Sequence, residues 1–220
     1  MSTIQHHKAT VQKTAYYSTL GKANSKVKYL WIVCHGYGQL SSQIIHKFSD
    51  IATEEHLFIA PEGLSRFYWN ESKGIVGSSW MTKQDRLDEI SDYCDYLQNL
   101  LDQYLPLCSK ETKVLAFGFS QGVATVWRWM MEKKPRLYAL IMWAGMTPED
   151  IDYLPYKEYL GEIAFYSIHG TSDQYLTQER VDFQKNLEKK QELDIDHYTF
   201  EGKHVVDRNT LKMLLPKFLK

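Results

Sequence analysis

The pentapeptide Gly118-Phe119-Ser120-Gln121-Gly122 sets a serine where an apolar strand-like run, Val114–Phe117, gives way to a helix-like run, Val123–Trp127. So tight a strand-to-helix turn needs glycine on both flanks, because side chains there would strike the neighbouring strand and helix, while the serine hydroxyl stays exposed. A helix starting at that point aims free N–H groups and a partial positive charge at any oxyanion forming beside the serine. The chemistry this suits is nucleophilic acyl transfer. A serine hydroxyl is a weak nucleophile on its own, so it needs a histidine to take its proton and an acid to orient that histidine. The bland alternative for the pentapeptide alone is a glycine-rich turn with no catalytic use.

Both partners lie downstream in the order Ser, Asp, His. Asp173 falls in His169-Gly170-Thr171-Ser172-Asp173, just past the run Ile163–Ile168, and His204 falls in Glu201-Gly202-Lys203-His204, just past His197–Phe200. Each candidate therefore follows a different strand, where open α/β sheets gather their ligands. The rival acids Asp150, Asp152, Asp194 and Asp196 lack that setting or lie too close to the final strand. The rival base His169 ends its own strand and is expected to make a structural contact under the acid loop. A second glycine-rich turn, His35-Gly36-Tyr37-Gly38-Gln39, follows the run Val27–Cys34. Its Tyr37 N–H and the N–H of Gln121 are the expected oxyanion donors, one from an early loop and one from the residue after the nucleophile.

These turns require strands to carry them. Strand-like and helix-like runs alternate along the chain, the pattern of an α/β domain with a mainly parallel sheet. Thr10–Leu20 and Val27–Cys34, separated by the turn Gly21-Lys22-Ala23-Asn24, are expected to form an antiparallel opening pair. Ile44–His56 reads as a helix and Leu57–Ala60 as a short strand stopped by Pro61. Residues 61–84 carry Phe67, Tyr68, Trp69 and Trp80 without a convincing period and read as a long aromatic loop. Leu87, Ile90, Cys94, Leu97, Leu100, Leu101 and Tyr104 recur at helical steps, so a helix should run from near Asp85 to before Pro106. Lys113–Phe119, Ala139–Trp143, Ile163–Ile168 and His197–Phe200 read as strands, and Gln121–Lys133, Thr177–Lys190 and Asp207–Leu219 as helices. The segment Ala144–Tyr159, with Pro148 and Pro155, looks irregular.

Composition narrows the field. A chain of 220 residues, 44% hydrophobic, reads as one domain over 1–220; at this size roughly 70% of the unfolded surface can be buried without disulfides or metals. Its 26 basic and 27 acidic side chains leave no basic stripe, so nucleic acid is not an expected partner. No apolar run reaches the length of a membrane helix, and the first residues show no apolar signal region. Three cysteines without CxxC spacing suggest reduced thiols and a cytoplasmic setting. Scattered histidines give no metal motif, and no GxGxxG or GxxxxGK[ST] is present, so neither metal nor other cofactor is expected.

With these segments in place the chain from about Leu30 onward resembles the phospholipase/carboxylesterase branch of the α/β-hydrolases, which includes acyl-protein thioesterases. The resemblance rests on His35-Gly36-Tyr37-Gly38, Ala60-Pro61-Glu62, Ser79-Trp80, Gly118-Phe119-Ser120-Gln121-Gly122, His169-Gly170 ahead of Asp173, and His204 before a last helix. It implies an α/β-hydrolase fold without a large cap, and cofactor-free hydrolysis of small carboxylic esters or thioesters through a Ser120 acyl-enzyme. Gln39 stands where the family usually has Asp, Tyr175 and Leu176 where it often has valine and proline, and Val205-Val206 follow the histidine in place of small residues. These departures touch the pocket wall, for which Trp69, Trp80, Met146 and Tyr175 are the candidate substrate contacts. Thioesterase, lysophospholipase, peptidase or amidase chemistry on the same fold is an alternative, as is a binding protein that kept the scaffold. A homodimer is left open.

Overall fold

The all-apolar run Leu30–Cys34 can be covered only from both sides, which puts its strand at the centre of a sheet. In the computed structural model, which describes residues 3–220, β2 (Tyr29–Cys34) lies between β3 (His56–Pro61) and β6 (Lys113–Phe119). The order is completed by β1 (Tyr17–Leu20) beyond β3, and by β7 (Ala139–Trp143), β8 (Ala164–Gly170) and β9 (Ile195–Phe200) beyond β6. All pairings in this seven-stranded sheet are parallel except β1 with β3.

Alternate residues of the strands face two separate layers. Leu30, Ile32 and Cys34 pack with α2 (Arg86–Tyr104) and α3 (Gln121–Lys133), whereas Trp31 and Val33 pack beneath α6 (Arg208–Phe218) and the short α1 (Ser41–Ile45). The helix α5 (Gln178–Lys190) links β8 to β9. Among the described residues no helix is long and apolar enough to cross a membrane.

Three local expectations change. The opening strand is antiparallel, as expected, but its partner is β3 rather than β2, because β2 already has parallel neighbours on both edges. The helix expected over Ile44–His56 is only α1 followed by a 3-10 turn, His46–Ile51. Ile44, Ile45, Phe48 and Ile51 still bury one face, and His56 goes to the next strand, where its Nδ1 accepts a hydrogen bond from Trp31 Nε1 at 3.1 Å. The aromatic loop is a hairpin of β4 (Ser65–Asn70) and β5 (Ile75–Ser79); its length and its φ-positive Gly74 at the turn account for what periodicity alone missed. The irregular Ala144–Tyr159 contains a 3-10 turn, Leu154–Tyr156, and α4 (Lys157–Leu160) begins within it. It is pinned by the fully buried Tyr153, whose ring meets Trp127 edge-on at 4.8 Å and whose hydroxyl donates to Pro148 O at 2.9 Å.

Candidate active site

The turn at Ser120 has the geometry that its glycines demand. Ser120 sits at φ 53°, ψ −115°, a conformation that costs a non-glycine residue of order 1–3 kcal/mol and that surrounding contacts must hold. Its amide donates to Trp143 O at 2.9 Å. A Cβ at Gly122 would lie 2.3 Å from Cys34 O, and one at Gly118 2.5 Å from Gly122 O, so β2, β6 and α3 meet with no space for side chains. Gln121 is the first residue of α3, and its amide is one of the helix-initial N–H groups that have no intrahelical partner.

The acid and the base are locked together by their loops. His204 Nδ1 lies 2.7 Å from Asp173 Oδ2, with the Asp173 side chain fully buried and that of His204 19% exposed. Asp173 Oδ1 accepts from Tyr175 N at 2.9 Å, so both carboxylate oxygens are engaged. Backbone bonds from Thr171 N to Phe200 O and from Ser172 N to Gly202 O stitch the two loops, at 2.9 and 2.8 Å. Gly170 lets them approach, since a Cβ there would lie 2.4 Å from Gly202 O. The rings of Phe119 and Tyr175 flank the imidazole at centroid distances of 5.0 and 4.7 Å.

Ser120 and His204 open into one cleft of about 470 Å³, walled in part by Tyr37, Trp69 and Tyr175. The Tyr37 loop is held against the connection between β3 and β4 by buried His35, whose Nε2 accepts from Gly63 N at 2.9 Å and whose Nδ1 reaches its neighbour's carbonyl, Gly36 O, at 2.7 Å. Burial lowers the His35 pKa to about 4, so it is a neutral structural imidazole. Gln39, which stands where the family usually has Asp, supplies a turn acceptor: its Oε1 takes Gly36 N at 2.9 Å. Gly38, at φ +78°, lies flat under the Trp69 ring, where any Cβ would come within 2.4 Å.

The remaining candidates separate by position. Trp80 is 1% exposed and is not on the cleft wall: its indole N–H donates to His35 O at 2.9 Å from beneath the loop. Met146 faces a different small cavity, beside Arg180, His169 and His197. Among the described residues His169 makes no hydrogen bond to Asp173, whose Oδ2 holds His204 and whose Oδ1 accepts from Tyr175 N. Asp150 is tied to Arg128 and Arg86, at 2.9 and 3.0 Å, while Asp194 and Asp196 lie at the start of β9, the opposite end of the strand from His204.

One positioning residue, Trp143, and the side-chain role of Gln121 escape the sequence pattern. Trp143 accepts from Ser120 N through its carbonyl and donates from Nε1 to Val205 O at 2.8 Å, so one residue ties the serine turn to the histidine loop. A buried indole must find an acceptor, but which one depends on tertiary contacts. The Gln121 side chain accepts from Trp80 N at 3.2 Å and donates to Met81 O at 3.0 Å, fastening the end of the hairpin to the start of α3.

Comparison with known proteins agrees with this architecture. The phospholipase/carboxylesterase family model matches residues 17–220. Among solved structures, Zea mays acyl-protein thioesterase 2 aligns at a TM-score of 0.71 with 14% identity, over 94% of this chain and 100% of that one. A carboxylesterase from Mesorhizobium loti gives 0.69 and 16%, over 92% and 94% of the two chains, and esterase PE8 gives 0.66 and 18%, over 94% and 100%. No curated protein matches by sequence. At these identities the solved structures speak for the fold, and the family match over nearly the whole length speaks for descent: the chain belongs to the phospholipase/carboxylesterase family of α/β-hydrolases.

Proposed function

We propose that the protein is a serine hydrolase of carboxylic esters, with Ser120 as nucleophile, His204 as general base and acid, and Asp173 orienting the imidazole. The observation that carries this reading is the 2.7 Å contact between Asp173 Oδ2 and His204 Nδ1, at the edge of a cleft that also contains Ser120 on its strained turn. Asp173 holds the proton on Nδ1, which leaves Nε2 free to take the proton of Ser120 as Oγ attacks the ester carbonyl. The negative oxygen of the tetrahedral intermediate is met by the N–H groups of Tyr37 and Gln121. The intermediate collapses as the carbonyl–oxygen bond breaks, and His204 gives its proton to the departing alcohol. Water, activated by the same imidazole, then releases the acid from Ser120. Trp69 and Tyr175 are the proposed contacts for the groups on either side of the scissile bond.

Labelling with a fluorophosphonate probe tests the nucleophile: wild-type protein should react covalently at Ser120 and Ser120→Ala should not. Ser120→Ala should also lower the hydrolysis of a short-chain p-nitrophenyl ester by several orders of magnitude. A variant that kept most of the activity would remove Ser120 from the mechanism. Parallel ester, thioester and anilide substrates of one chain length decide which bond is preferred.

A further inference from the structure

The cleft beside Ser120 is aromatic on one wall and cationic on the other. The 3-10 turn His46–Ile51 brings Lys47, half-buried, to the cleft lining together with Ile44, Val205 and Val206. No Asp or Glu lines the cleft, and Lys47 is its one side chain of fixed charge among the described residues. Lys47 takes part in none of the ion pairs formed among those residues. Neither Asp207 nor Asp50 pairs directly with Lys47. Asp207 accepts from Thr210 N and Oγ, each at 2.7 Å, and its pKa is lowered first by those bonds and only secondarily by the charge of Lys47. Asp50 lies 3.6 Å from Arg208. An ammonium that is in direct contact with no carboxylate, and that feels the Asp207 charge only at a distance, keeps its hydrogen-bond donors free for an anionic ligand in the cleft.

Lys47 also lies on a particular side of the cleft. Arg208, on the segment just after His204, donates to His46 O, so the Lys47 turn is fastened to the loop of the proposed general acid. The oxygen that receives the proton from His204 is that of the leaving alcohol, so a group bonded to that oxygen starts on the His204 side of the cleft, which Lys47, Val205 and Val206 also line.

Resting on the ester-hydrolase reading above, we infer that Lys47 is a specificity-determining residue and that the preferred ester carries an anionic oxygen group on its alcohol portion. In the reaction the acyl–oxygen bond breaks, the alcohol leaves with the proton from His204, and the anionic group departs with it unchanged, while water completes the acid.

The test compares 4-acetoxybenzoate with its neutral methyl ester in wild type, Lys47→Met and Lys47→Glu, and 4-nitrophenyl hemiglutarate with 4-nitrophenyl valerate as the pair with the charge on the acyl side. The anionic-to-neutral ratio of kcat/KM for the acetoxybenzoate pair should fall about fivefold in Lys47→Met, the size of one partly screened charge pair, and further in Lys47→Glu, chiefly through KM of the anion. A ratio within twofold of wild type in both variants, or a shift confined to the hemiglutarate pair, overturns the inference while leaving the hydrolase reading intact. If no ester is turned over, the hydrolase reading fails; 4-hydroxybenzoate titrated against wild type and Lys47→Met by tryptophan fluorescence then decides whether the cation binds anions, and equal affinities count against it.

Discussion

At the scale of single residues, Asp173 makes two contacts with separable consequences. Asp173→Asn keeps an oxygen able to accept from Tyr175 N but can present an amide N–H to His204 Nδ1, which then holds its proton on Nε2, facing the serine. The expected result is a fall in kcat of about 10⁴, the loss typical of a wrong tautomer in a Ser-His-Asp site, with an unchanged near-ultraviolet circular dichroism spectrum. A small fall would mean that Asp173 only braces its loop. All three proposed catalytic side chains could be located in the sequence because each follows a strand-like run and carries a chemically special residue type. Trp80 and Met146 could not be judged that way. Their size suits a pocket wall equally well as a buried support, and only the hydrogen bond of Trp80 to His35 O and the cavity beside Met146 tell the difference.

At the scale of elements, the site depends on how closely β2 and α3 approach. Gly122→Ala would set a methyl 2.3 Å from Cys34 O, a backbone atom that cannot swing aside as a side chain can. Overpacking of this kind typically costs about 1–3 kcal/mol, so the urea midpoint should drop with little change in m, and the proposed esterase activity should fall with it as the Gln121 amide, a proposed oxyanion donor, is displaced. Sequence pattern identified β6, α3, β7 and α2 within a residue or two because the two strands are almost unbroken apolar runs, buried in the structure, and the two helices carry a clear apolar period. It failed on the β4–β5 hairpin and on the segment after Gly38, where no unbroken apolar run marks the element and distant partners hold it: Gly38 N by Ser78 O, and Ser41 N by the buried Glu62 carboxylate. Contacts far apart in the chain leave no local period to read.

At the scale of the whole molecule, the buried histidines link the fold to pH. His35, with a pKa lowered to about 4 from an ordinary value of 6.5, and His56, also lowered by burial, stay neutral in the folded protein where the unfolded chain would be charged. For His35, between about 4 and 6.5 the unfolded state binds more protons, so its contribution is full above about pH 6.5 and is lost as the pH falls toward 4; His56 acts in the same direction. Each such histidine adds up to about 1.4 kcal/mol per pH unit to the slope. Denaturant melts from pH 7 to 4.5 should show a shallower loss for His35→Gln, which keeps an acceptor for Gly63 N, than for wild type. Equal slopes would place the acid sensitivity elsewhere.

The sequence by itself determined the α/β alternation, the span of the central strands, and the placement of Ser120, Asp173 and His204 in turns just after strands, because glycine-containing turns after apolar runs are local features. Tertiary structure alone decided that β1 would cap β3, that the aromatic segment would fold back over Gly38, that Trp143 would join two loops, and that Lys47 would face the cleft. Each of these is a long-range contact, set by packing and by hydrogen-bond partners that no stretch of sequence contains on its own.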